Sequence, residues 1–136
     1  MFETVYEKIT AILSLGVGFT FGGWSTGLTI LIMCMCLDYI TGWAKAIKTG
    51  TLNSTIARWG IFTKFLMFIP IILSNLLDTL LSLEGTTVTI CVMFYICSEG
   101  LSVCENLVEM GVPLPEQLVS VLEKVSKDNK DKKIDT

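Results

Sequence analysis

From Ile9 to Leu37 the chain carries not one charged side chain, a run of 29 residues. About 20 apolar residues suffice to cross a bilayer as helix, and in lipid every backbone polar group must be satisfied within the segment. That stretch therefore commits the chain to helices in a membrane. Glycines at 16, 18, 22, 23 and 27 punctuate it. Such density marks a turn. The run accordingly divides into an amphipathic or shallowly inserted helix ending near Phe21, with a short fourth span over Ile9 to Phe21 as the alternative, a glycine-rich turn within residues 1–25, and a first span over about 26–46.

Two further apolar stretches follow. One covers about 62–81, with Lys64 near its start, Asp78 near its end and Pro70 in its middle, where a kink is expected. The other covers about 86–107 and is joined to it by a tight connection at Glu84 and Gly85. The fold class read from this pattern is an all-α integral membrane protein, with three transmembrane helices in a domain of residues 26–110. Residues 111–136 form a C-terminal part. There Leu118, Val121, Leu122 and Val125 share one face of a short amphipathic helix, and the alternating Lys and Asp from Lys127 to Thr136 read as a disordered tail. A soluble bundle is the competing architecture, but three such segments leave it no polar face to show to water.

Charge position sets the orientation. Lys45, Lys48, Arg58 and Lys64 occupy one connector without an acid, whereas the other connector holds Glu84 alone. The positive-inside rule puts the first in the cytoplasm, and two more crossings bring the C-terminus there as well. Trp24 and Trp43, with Tyr39, suit the two headgroup zones. Met1 to Lys8 holds two acids and one base, the wrong balance for the basic start of a cleaved signal peptide, and no lipidation motif is expected at either end.

The formal net charge of -3 argues against a nucleic-acid partner, because phosphate binding needs a clustered basic face. With no histidine, no CxxC and five cysteines (Cys34, Cys36, Cys91, Cys97, Cys104) in apolar surroundings, the thiols read as small hydrophobes. Neither a metal nor a cofactor is expected, and no nucleophile with a base or phosphate loop suggests an enzyme.

The informative anomaly is charge within the spans, since an acid at the centre of a membrane helix costs about 2.5–3.5 kcal/mol on insertion scales. At about 1.5 Å per residue, Asp38 and Glu99 lie some 18 and 20 Å along their helices, both in the inner half, and Lys64 enters at the same end. Asp38 or Glu99 is thus expected to pair with Lys64; the competing reading has Lys64 snorkel and the acids solvated at helix ends. Asp78 reads as an interfacial acid beside Glu84, or as a lining residue if the chain forms a pore. Asp38, Gly42, Lys45 and Ala46 fall on one stripe, whose small residues allow close helix packing.

The segment Cys36-Leu-Asp-Tyr-Ile-Thr-Gly-Trp-Ala-Lys-Ala-Ile-Lys48, followed by Gly50-Thr-Leu-Asn-Ser54, Gly60 and Lys64, resembles the signature of the toxin-secretion/phage-lysis holins. Glu105-Asn-Leu and Gly111-Val-Pro-Leu-Pro115 resemble that family's second signature. The resemblance singles out Asp38, Thr41, Gly42, Lys45, Asn53, Ser54, Gly60, Lys64, Glu105, Asn106, Gly111, Pro113 and Pro115, with Gly60 among the helix-packing positions. It implies a phage or prophage protein of the bacterial host cytoplasmic membrane that self-assembles into holes. Through them an endolysin, or in clostridia a large toxin, leaves the cell while the membrane potential collapses. Two other classes fit the bare residues: a small proton-coupled transporter working through Glu99, and an adaptor that presents its C-terminal helix to a partner.

Overall fold

A computed structural model describes residues 1–23 and 25–131, so Trp24 and the end of the charged tail lie outside the described residues. Among the described residues every regular element is helix: α1 Phe2–Phe21, α2 Thr26–Thr49, α3 Ser54–Leu66, α4 Phe68–Leu81, α5 Thr86–Glu109 and α6 Glu116–Asp131. Three helical stretches are long and apolar enough to span a membrane: α2, α3 with α4 over Ser54–Leu81, and α5. At most 22% of any of these is buried inside the chain. Ile40, Phe65 and Leu80 stand 62–76% exposed, an apolar surface suited to lipid and not to water.

Local chemistry explains the boundaries. Ser25 caps α2 by accepting from the Leu28 amide at 3.2 Å, and Gly50 ends it in the left-handed region at φ 69°. The helix thus runs three residues past the expected end at 46. The second span starts at Ser54, well before residue 62, because the Asn53 side chain accepts from the amide of Thr55 at 2.9 Å and caps α3. Arg58 in the first turns masks this helix in a hydropathy reading.

Pro70 interrupts the second span, as expected. Pro70 has no amide to give the Leu66 carbonyl, and its ring crowds that carbonyl. The helix therefore yields one turn upstream, at Met67, whose amide is shared between the carbonyls of Thr63 and Lys64 at 3.2 Å each. Ser82, Glu84 and Gly85 then turn the chain with positive φ, the tight connection expected there. At the other end α6 continues to Asp131, so Lys127 to Asp131 is helical where a disordered tail was expected.

Packing centres on α2 and α5. Gly27 lies beside Val92, and Gly42 beside Asn106, so the two helices run parallel and in step. Leu28, Leu31 and Met35 meet Ile71 of α4 and Val92 of α5 in a buried core. α1 buries none of its residues. It is held at its C-terminal end, where Asn75 of α4 donates to the carbonyls of Phe19 and Thr20 at 3.0 and 3.1 Å and Phe21 packs edge-on to Phe68. α6 turns back along α5 and seats Leu122 over Gly100.

Candidate functional site

One charged residue from each of the three spans converges on a common point. Lys64 of α3 donates to Oδ2 of Asp38 on α2 at 2.7 Å and also to Oε2 of Glu99 on α5. Where one acid or the other was expected to take the lysine, both do. Asn106 extends the network: its Nδ2 donates to Oδ1 of Asp38 at 3.0 Å and to the hydroxyl of Thr41 at 3.1 Å. Glu99 is the most enclosed member, its side chain 4% exposed against 16% and 17% for Asp38 and Lys64. Among the described residues no buried side-chain polar atom lacks a partner.

Helix geometry produces this meeting. The parallel register of α2 and α5 brings Asp38, Thr41 and Asn106 to one level, and the break at Met67 lies one turn beyond Lys64. Above the cluster α2 and α3 diverge around an open cleft of about 460 Å³, lined by Asp38, Gly42, Ala46, Ala57, Gly60 and Lys64. Gly42 packs closely, 3.7 Å from Asn106 where a Cβ would stand, whereas Gly60 has nothing within 4 Å and Ala46 borders the cleft. Gly60 therefore faces the cleft, with room there for a larger side chain.

Lys45, Lys48 and Arg58 lie toward the same end. Lys45 lies 3.4 Å from Glu109, and Lys48 donates to the carbonyl of Met110 at 2.8 Å, where a cation complements the helix C-terminus. Arg58 is exposed on α3. Gly111, at φ 85°, ends α5, and Pro113 and Pro115 lie in the turn to α6. Glu105 is exposed.

Asp78 and Glu84 border one cavity between the ends of α4 and α5. Asp78 is 4% exposed, and its two oxygens accept from the backbone amides of Thr87 and Val88 at 2.9 and 2.8 Å. The acid thus joins α4 to the positive end of α5. Asn75 and Gly100 are the positions that sequence reasoning missed. Only Asn75 carried a signal, as an amide inside an apolar run.

The arrangement contains nothing that would break or form a covalent bond. It ties three helices together through polar groups that lipid cannot solvate.

The sequence profile of the bacteriophage holin family matches residues 16–127. A probable holin of Bacillus phage phi105 is 37% identical over 105 residues, covering 77% of this chain and 78% of that protein. An uncharacterised 14.9 kDa protein of Clostridium perfringens, from the nagH 3' region, is 40% identical over 85% of this chain and 89% of its own length. The uncharacterised protein YqxH of Bacillus subtilis is 38% identical, covering 88% of this chain and 89% of the relative. No solved structure matches. With most of its length matched by the profile and by a phage holin, this multi-pass membrane chain belongs to the bacteriophage holin family, whose members form pores in membranes and are not enzymes.

Proposed function

We propose that the protein accumulates in the bacterial host cytoplasmic membrane, with Lys45, Lys48, Arg58 and the C-terminus on the cytoplasmic side, and then self-assembles into holes. Endolysin crosses through them and the membrane potential collapses. The observation that carries the reading is the cluster of Asp38, Lys64, Glu99 and Asn106. One chain satisfies its intramembrane charges internally, while apolar residues cover its outer faces. Such a chain can rest in lipid. If the helices part, the same charges can be hydrated beside a wet lumen, so two packings of one sequence compete, as a timed hole requires.

The test is induction in a bacterium carrying a potential-sensitive dye, with and without a co-expressed endolysin. A lag, then abrupt depolarisation, then lysis only in cells holding the endolysin is the expected course. Failure to depolarise at every level of accumulation overturns it. The same assay separates a proton-coupled transporter. In a transporter Glu99→Gln abolishes coupled uptake and causes no abrupt leak, whereas in a hole-forming protein it shifts the time of depolarisation. If the hole carries a large toxin, release of that cargo replaces lysis as the readout.

A further inference from the structure

α6 and α5 pose a problem of depth. A Cβ at Gly100 would lie 3.2 Å from a terminal methyl of Leu122, so α6 reaches back along α5 as far as Gly100. That glycine is nine residues from the end of α5 at Glu109, or about 14 Å along the axis. α6 is no membrane helix: Glu123, Lys124 and Lys127 are exposed on it, and each would be costly in lipid.

One escape is that the membrane ends at Gly100 and the last turns of α5 stand in the cytoplasm. The register of α2 rules this out. Since Gly42 is level with Asn106 and Gly27 with Val92, Gly100 is level with about Met35 or Cys36. Only about 14 Å of α2, from Thr26 to Met35, would then remain for a hydrocarbon core of roughly 30 Å. The inner ends of α2 and α5 must lie at membrane depth, and α6 lies beside one of them.

We propose that the Gly100 face of α5 borders water within the membrane, in a vestibule open at the end carrying Lys45 and Lys48, and that α6 is a plug seated in it. The notch at Gly100 receives Leu122, whereas the charged side of α6 faces the vestibule water. Cys97 and Cys104, buried and at helical spacing on either side of Gly100, continue a stripe of small residues that lets a helix lie close. Exposed apolar side chains on other faces, such as Leu37 and Ile40 of α2, meet lipid. The inference rests on the membrane-spanning arrangement and needs no hole to have formed.

Thiol labelling tests it without reference to lysis. The probe is a charged, membrane-impermeant thiol reagent, applied to inside-out and right-side-out vesicles. The chains carry a single cysteine, either Gly100→Cys or the native Cys36, which is exposed on the outside of the chain. Gly100→Cys is placed both in a chain ending at Pro115 and in the full chain with Leu122→Val, which makes room for the added side chain. Thiolate forms in water and is suppressed in apolar surroundings, so the cysteine at 100 in the shortened chain should react on the order of tenfold faster than Cys36. In the full chain it should be protected by a similar factor. A shortened chain whose cysteine at 100 is as slow as Cys36 overturns the vestibule. A full chain that reacts as fast as the shortened one overturns the plug. A chain whose holes fail to form, but whose labelling follows this pattern, keeps the vestibule and refutes only the lysis reading.

Discussion

The ammonium of Lys64 lies 2.7 Å from Oδ2 of Asp38, though the two residues are on different membrane helices. Because Glu99 shares the same ammonium, exchanging Asp38 and Lys64 is a poor test of the pair: it would set an acid at 64 against Glu99. Removing the cation and then the acids is the cleaner series. Lys64→Met leaves two enclosed carboxylates with no cation and should cost about 3–5 kcal/mol, the usual penalty for breaking a buried ion pair from one side. Adding Asp38→Asn and Glu99→Gln to it should recover a large part of the loss. Helix content followed on heating in detergent micelles gives the ranking. A triple variant no more stable than Lys64→Met would mean that the acids and the lysine do not sense one another.

Asp78 supports a prediction about order. Its two oxygens accept from Thr87 and Val88, which open α5. Asp78→Asn keeps one acceptor and loses the charge, whereas Asp78→Ala loses both. The melting temperature in micelles should fall from the parent to the Asn variant and again to the Ala variant. Ion selectivity of any leak should be the same in parent and Asn variant, because the carboxylate is held by the backbone amides of α5. A changed cation preference would return Asp78 to the lumen.

Gly22 tests the attachment of α1. It sits at φ 71°, and a Cβ there would stand 2.6 Å from Oδ1 of Asn75, the side chain that holds the end of α1. Gly22→Ala therefore meets both a backbone penalty of about 1–2 kcal/mol and a steric one. Faster protease cleavage within α1 in micelles, with α2 to α5 intact, is the expected result. Adding Asn75→Ala relieves the clash yet removes the two hydrogen bonds, so it should not restore protection.

These cases show what could be read in advance. The meeting of Lys64 with Asp38 and Glu99 was legible because depth along a membrane helix is a matter of counting residues, and unpaired charge in lipid is costly enough to force a partner. The choice between the acids was not, since it depends on the angle at which three helices cross. The break was legible too: Pro70 announces it, and the carbonyl it disturbs lies four residues earlier. Asn53 before Ser54 was a readable cap, overlooked because the charge of Arg58 concealed a helix there. Contacts such as Asn75 on α1 and Leu122 on Gly100 join residues whose proximity exists only once the helices are packed. No periodicity within one segment encodes that.

Deleting Glu116 to Thr136 separates hole formation from presentation of α6 to a partner. The deletion begins after Pro115 and removes α6 whole, while the cluster of Asp38, Lys64, Glu99 and Asn106 stays complete, as does the Gly111 cap of α5. The shortened chain should accumulate in the membrane and still depolarise cells. With the contact of Leu122 on Gly100 gone, depolarisation should also come sooner after induction at equal protein level, because whatever free energy that contact lends the resting packing is lost. An adaptor would instead lose its activity entirely, however much chain the membrane holds. Immunoblotting of membrane fractions beside the potential-sensitive dye makes the comparison. A shortened chain that is abundant and silent assigns the function to α6 and removes it from the spans.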